Sequence, residues 1–365
     1  MTKLNRLLWS LFLCVWMSTS AWCQTTTQLG VYYFPGWRND TPYAPSDRPW
    51  ERIQRFKDRE PMLGWYDEGV DDVMRQQIDW MIDYGLNFVV FDWYWDDASK
   101  VRLDHALAAY LRAPNRTRLP FSIMWANHGN VPSSQANWDR MVDFWIRFYT
   151  PRPEMLRVDG KPVIFIFLSR DLDAKASKFG SSTSALLAQA QAKARQAGLP
   201  GLYFVAGASG EELQVIKDAS RVGYSAVTMY NLHRTPFKGQ MSHSYEELDT
   251  AYRGHWRSYE STSSLPVIFP ITAGWDKRPW GGSEDPLHDK SSPMPSEFQT
   301  HLEAAKAAMD TGKLRPGQTS RWGLICCWNE FGEGSFLEPT RSAGFAMIDK
   351  VRRVFGAPKA TSVKE

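Results

Sequence analysis

Two glutamates, Glu330 and Glu333, stand in the segment Trp328-Asn329-Glu330-Phe331-Gly332-Glu333-Gly334. Cleaving a glycosidic bond normally takes two carboxyl groups, one that protonates the leaving oxygen and one that assists attack at the anomeric carbon. Gly332 and Gly334 permit a tight turn that returns Glu333 to the cavity of Glu330. Asp92 sits in Phe91-Asp92-Trp93-Tyr94-Trp95-Asp96-Asp97, where a carboxylate framed by rings suits sugar hydroxyls. A salt-bridged carboxylate that orients a loop is the competing reading of Asp92. Asn127 and His128 follow Trp125-Ala126, Tyr230 precedes Asn231 and His233, and Trp275 precedes Asp276. Each group follows an expected strand, and their convergence outweighs any one of them.

Other chemistries find little support. The chain has no His-Glu-x-x-His, no Cys/His zinc spacing and no Walker loop. Asp92, Asp96 and Asp97 could suggest a hard cation, but their aromatic interruption matches no calcium loop. Gly207-Ala208-Ser209-Gly210 lacks the spacing of a nucleophile elbow. Acid–base catalysis by carboxyl groups is expected, with no metal and no cofactor.

These residues need elements to position them. Short apolar runs fall at Leu29–Phe34, Asn87–Asp92, Phe121–Trp125, Val163–Leu168, Leu202–Ala206, Ala226–Tyr230, Val267–Thr272 and Gly323–Trp328. Amphipathic stretches separate them. One carries Val70, Val73, Met74, Ile78, Met81 and Ile82 at helical spacing before Gly85; another runs from about Thr183 to Gly198. Ser296 with Gln299 reads as a capping box. Eightfold alternation predicts an α/β fold, a (β/α)8 TIM-type barrel, with an open doubly wound sheet as runner-up. Against the latter, no dinucleotide-type glycine turn follows the first strand. The long segments 35–68 and 274–295 then lie at the carboxyl-end face, where barrels build their sites.

Composition sets further bounds. Lys3 and Arg6 before an apolar run from Leu7 to Met17 resemble a secretory leader over residues 1–24, followed by one catalytic domain over 25–356 and a polar tail over 357–365. Secreted or periplasmic export without stable membrane insertion is expected; Trp22 before Cys23 disfavours a lipid-modified cysteine. Cys326 and Cys327 remain after leader removal, and a disulfide between such neighbours is not expected, because adjacent strand residues face opposite ways. With 43 Lys and Arg scattered among 40 Asp and Glu, no nucleic-acid partner is indicated. The 17 tryptophans leave two roles open, core filling and platforms for sugar rings.

Together, Tyr32-Tyr33-Phe34-Pro35-Gly36-Trp37, Leu63-Gly64-Trp65-Tyr66-Asp67-Glu68, Phe91-Asp92-Trp93-Tyr94-Trp95, Met124-Trp125-Ala126-Asn127-His128, Gly274-Trp275-Asp276 and the segment from Trp328 to Pro339 resemble glycoside hydrolase family 99 and its wider group, some members of which are labelled polysaccharide-biosynthesis glycosyltransferases. The resemblance spans nearly the whole chain. It implies a (β/α)8 barrel and a retaining, endo-acting enzyme for α-mannosides. It also implies that Glu330 deprotonates the sugar 2-hydroxyl to form a 1,2-anhydro intermediate, with Glu333 as general acid/base. Phe331 and Gly332 depart from the usual tryptophan and histidine, which touches mannoside specificity more than catalysis. Tyr33, Trp65, Asp92, Trp93, Trp95, Asn127, His128, Tyr230, Trp275, Asp276, Trp328 and Asn329 are the expected substrate contacts on a glycan partner. A surface-polysaccharide glycosyltransferase and a sugar-binding barrel without turnover are the alternatives.

Overall fold

The computed structural model describes residues 26–38, 48–208, 212–231 and 241–356. The expected leader and tail, and His233, lie outside the described residues. Eight parallel strands form the barrel: β1 (Thr26–Tyr33), β2 (Phe88–Trp95), β3 (Phe121–Trp125), β4 (Lys161–Ile166), β5 (Tyr203–Gly207), β6 (Ala226–Thr228), β7 (Ile268–Thr272) and β8 (Ser320–Cys326). Each pairs in parallel with its chain neighbour, β8 returns to pair with β1, and a bridge between Val227 and Val267 closes β6 onto β7. The barrel reading holds.

Strand alternation separates two packed clusters. Tyr32, Val90, Met124, Phe165, Val205, Ile268 and Leu324 fill the barrel interior, while Val31, Tyr33, Phe91, Trp125, Ile164 and Ile325 pack under the helices. Helices α1 (Asp71–Asp83), α2 (His105–Arg112), α3 (Gln135–Phe148), α4 (Thr183–Gln196), α5 (Leu213–Val222), α6 (Tyr245–Thr262), α7 (Pro295–Thr311) and α8 (Ala346–Phe355) form the outer layer. In α1 the face Met74, Ile78 and Met81 is buried, and Gly85 at φ +95° lets the chain turn away. Ser182 caps α4 by accepting from Ala185 N–H. The capping residue of α7 is not Ser296: the helix starts at Pro295, and the Glu297 carboxylate accepts the Met294 N–H at 2.7 Å. Proline suits that first helical position because its missing donor would be unused there.

Much of the tryptophan goes into packing. Trp93, Trp125, Trp138 and Trp145 are buried together beneath α3, with ring centroids 5.7–6.2 Å apart in successive contacts. At about 25 cal/mol per Å², a ring system burying roughly 150–250 Å² contributes at most about 4–6 kcal/mol before ordering costs. One expectation is overturned at the end of β8. Cys326 and Cys327 are joined by a disulfide, and a cis peptide holds their Cα atoms 3.0 Å apart, so the opposite-face rule for a regular strand does not apply. Both lie in the interior cluster.

Candidate active site

Inward parity on β2 carries Asp92 to the carboxyl-end mouth of the barrel, where it is 6% exposed. Past β6, the Tyr230 hydroxyl donates to Asp92 Oδ2 at 3.0 Å and lies 3.3 Å from Glu330 Oε1. One phenol therefore joins carboxylates delivered by opposite parts of the chain. Its ring packs against that of Tyr32, the inward residue of β1, tilted by 56° with centroids 4.7 Å apart. Asp92 Oδ1 is buried and has no hydrogen-bond partner among the described residues.

Glu330 belongs to a small hairpin in which Asn329 and Glu330 pair with Phe336 and Ser335. The Asn329 amide clamps β1's exit by accepting from Phe34 N–H and donating to Phe34 C=O, at 2.9 and 3.0 Å. Trp37 Nε1 donates to Asn329 C=O at 2.8 Å. Within the turn, Glu333 N–H reaches Glu330 C=O, and Asp276 N–H donates to Glu333 C=O at 2.7 Å. Gly334, at φ +72°, passes so close that a Cβ there would lie 2.7 Å from the Asp276 nitrogen. Gly332 is pressed against Trp280, whose ring takes the space of any larger side chain. Arg59, buried beneath the turn, donates to Phe331 C=O at 2.6 Å and pairs with Asp276.

Burial pushes all three acids upward. Asp92 and Glu330 lie well above the ordinary carboxylate range because their charged forms are desolvated; Glu333 adds to both, and Asp92 adds to Glu330. The Tyr230 hydrogen bond works the other way, favouring ionised Asp92 and Glu330. Burial raises Glu333 to about 7, with the Lys277 charge opposing it. A carboxyl that keeps its proton near neutrality can serve as an acid.

The structure brings together Asp92, Tyr230, Glu330 and Glu333, and adds His128 at the rim, where it packs between Tyr94 and Phe167 at 6.3 and 4.9 Å. Burial lowers the His128 pKa further below its usual value, with Lys175 adding to the effect. Other expected contacts face away from this cavity. Tyr33 donates to Gln77 on α1, Trp93 donates to the Tyr149 hydroxyl, and Trp95 stacks on Trp93. Their strand parity is opposite to that of Asp92 and Tyr32. Trp328 packs in the outer core, Trp65 lies edge-on to Trp50, and Trp275 stacks on His288. Asn127, like Asn329, is a clamp, exchanging two hydrogen bonds with the Leu168 backbone. Asp276 is held by Arg278 and Arg59; burial opposes its charge, but these partners outweigh it and keep its pKa low. Tyr32, Tyr94, Phe167 and Arg59 were not expected; Tyr32, Tyr94 and Phe167 carry a sequence signal, their parity, and Arg59 carries none.

A family model described as Glycosyltransferase WbsX matches residues 55–351. A curated relative from Xanthomonas campestris pv. campestris (strain B100), described as Uncharacterized protein WxcX, is 24% identical over 353 residues, 88% of this chain and 46% of the relative. The chain thus spans about half the length of the curated relatives it matches. Among solved structures, a glycoside hydrolase-like protein is similar at TM-score 0.63 and 13% identity, covering 91% of this chain and 95% of that one. The GH99 endo-alpha-mannosidase from Bacteroides thetaiotaomicron is similar at TM-score 0.60 and 14% identity, covering 90% and 96%. Identities this low speak to the fold alone. The chain belongs to the WbsX glycosyltransferase family, on a barrel like that of the family 99 endo-α-mannosidases.

Proposed function

We propose that this protein is an exported, retaining, endo-acting glycoside hydrolase for an α-linked glycan. The observation that carries the reading is the hydrogen-bonded set Asp92–Tyr230–Glu330 with Glu333 on the same turn, its carboxyl raised to about 7 by burial. Glu330 accepts the proton of the sugar 2-hydroxyl, whose oxygen attacks the anomeric carbon. Glu333 gives its proton to the departing oxygen. A 1,2-anhydro sugar results; ionised Glu333 then takes a proton from water as the water oxygen attacks the anomeric carbon, the bond from that carbon to the 2-oxygen breaks, and Glu330 returns its proton to the 2-oxygen, with overall retention, in keeping with the family 99 resemblance. Tyr230 favours the ionised form of Glu330 that the first step needs. Asp92 Oδ1 accepts from a neighbouring sugar hydroxyl. Mannoside specificity does not follow, since Trp280 fills the space beside Gly332.

The family description supports a second reading, in which a sugar hydroxyl replaces water as acceptor. Incubation with a panel of bacterial and plant glycans, with and without added acceptor sugars, separates the two. New reducing ends without an acceptor support hydrolysis; products only with an acceptor support transfer. No product under either condition contradicts both.

A further inference from the structure

On the outer side of the β4 exit, across that strand from the catalytic mouth, lies a second cavity of about 670 Å³, within the roughly 300–1,000 Å³ typical of ligand pockets. Phe167 faces the mouth, where its ring meets Tyr230 and His128. Ser169, two residues on, lines the second cavity together with Thr183, the first residue of α4, and Tyr224, which leads into β6. These three residues are 5%, 3% and 6% exposed. None of their hydroxyls has a hydrogen-bond partner among the described residues. Ser169 is close enough to Tyr224 to oppose the upward push of burial on its phenol, yet the two are not in hydrogen-bonding geometry. A buried hydroxyl left unmatched is destabilising, so three around one cavity favour a ligand rich in donors and acceptors.

The charges select its class. Arg170 and Arg221 line the cavity, but Asp173, Glu212 and Asp218 do too, and Glu212 and Asp218 pair with those arginines. The acids outnumber the bases, which disfavours phosphate or a uronate, while guanidinium groups disfavour a bare cation. Hydroxyls, carboxylates and arginines together suit a neutral polyol ring.

We propose that this cavity is an auxiliary binding site for a neutral sugar unit, on the same face of the barrel as the catalytic mouth. The site rests on the reading of the protein as glycan-directed. It holds a distant part of the chain that the mouth engages, with the segment Phe167–Ser169 as the wall between them.

The test is fluorine NMR of the full chain carrying 3-fluorotyrosine, with the Tyr224 resonance assigned through Tyr224→Phe. The probes are methyl glycosides of neutral hexoses and 6-deoxyhexoses, with inorganic phosphate and methyl glucuronide as the other arms. A neutral glycoside should shift Tyr224 saturably in the millimolar range, and Thr183→Val should weaken that binding about fivefold. Phosphate and the glucuronide should leave the resonance unmoved. A silent Tyr224 with every neutral glycoside, a shift caused by phosphate or the glucuronide, or undiminished binding in Thr183→Val overturns the site. Because the readout needs no turnover, a catalytically inactive chain that binds leaves the pocket standing, and an active chain with a silent Tyr224 sinks the pocket alone.

Discussion

Glu330 and Glu338 lie on one segment, are both buried, and are both pushed upward by desolvation, yet their surroundings differ. Glu338 has both oxygens matched, Oε2 by the Tyr66 hydroxyl at 2.6 Å and Oε1 by Gln77 Nε2 at 3.1 Å. Among the described residues Glu330 has only a share in the Tyr230 hydroxyl, at the edge of hydrogen-bonding range, and it faces Glu333 and Asp92. A buried acid with filled coordination holds elements together; one with unfilled coordination and acidic neighbours is free to exchange a proton with substrate. Displaced titration marks both, so it does not tell the two kinds apart.

The largest effect should fall on Glu330→Gln. We expect kcat/KM to drop by about 10²–10⁴-fold, with unfolding in urea unchanged or shifted to higher concentration, since one member of a repelling group is neutralised. Glu338→Gln should keep kcat/KM within a few-fold. An equal loss in both variants would erase the distinction.

The second effect concerns stability and pH. Glu338 rises from 4.5 to about 8 on folding, so its neutral form favours the fold. That contribution is complete below about 4.5 and is lost as pH climbs through about 8. Urea denaturation of the parent at pH 5 and pH 8 should differ, and Glu338→Gln should reduce the difference by on the order of 3–4 kcal/mol. An unchanged pH slope would mean that Glu338 titrates normally in the fold.

Tyr230→Phe comes next, at about 10–100-fold in kcat/KM, the loss of a hydrogen bond to charged groups. Without the phenol, Asp92 and Glu330 rise further, so the acidic limb of the kcat/KM profile should move to higher pH. A uniform loss with an unmoved limb would assign Tyr230 a packing role only.

The smallest effect distinguishes the two faces of β1. Tyr33→Phe leaves Gln77 Oε1 without its donor and should cost about 1 kcal/mol of stability with kcat unaffected. A fall in kcat would return Tyr33 to the substrate site.

Tyr33 also shows how much was legible beforehand. Runs such as Val163-Ile164-Phe165-Ile166 declared the strands, because a barrel wall is buried on both faces. The position of Asp92 and Glu330 at strand exits was legible for the same reason. Which neighbour faces the cavity was decided by parity, and once Asp92 is taken as inward, Trp93 and Trp95 must point out and Tyr94 in. Asn329 and Arg59 were beyond reach in another way. Their partners, Phe34 and Phe331, are distant in sequence, and nothing local marks an amide or guanidinium as a clamp. The paired cysteines defeated a rule that holds only for regular trans strand geometry.

The division of labour between Glu330 and Glu333 is tested most directly by measuring kcat/KM of Glu330→Gln and Glu333→Gln on a cleaved glycan and on an activated aryl glycoside of the same sugar. A good leaving group scarcely needs protonation, so Glu333→Gln should be severely impaired on the glycan and much less so on the aryl glycoside. Glu330→Gln should be impaired on both alike, because deprotonation of the 2-hydroxyl is required whatever group departs. Near-normal turnover of the aryl glycoside by Glu330→Gln, or equal losses for Glu333→Gln on both substrates, would contradict the account.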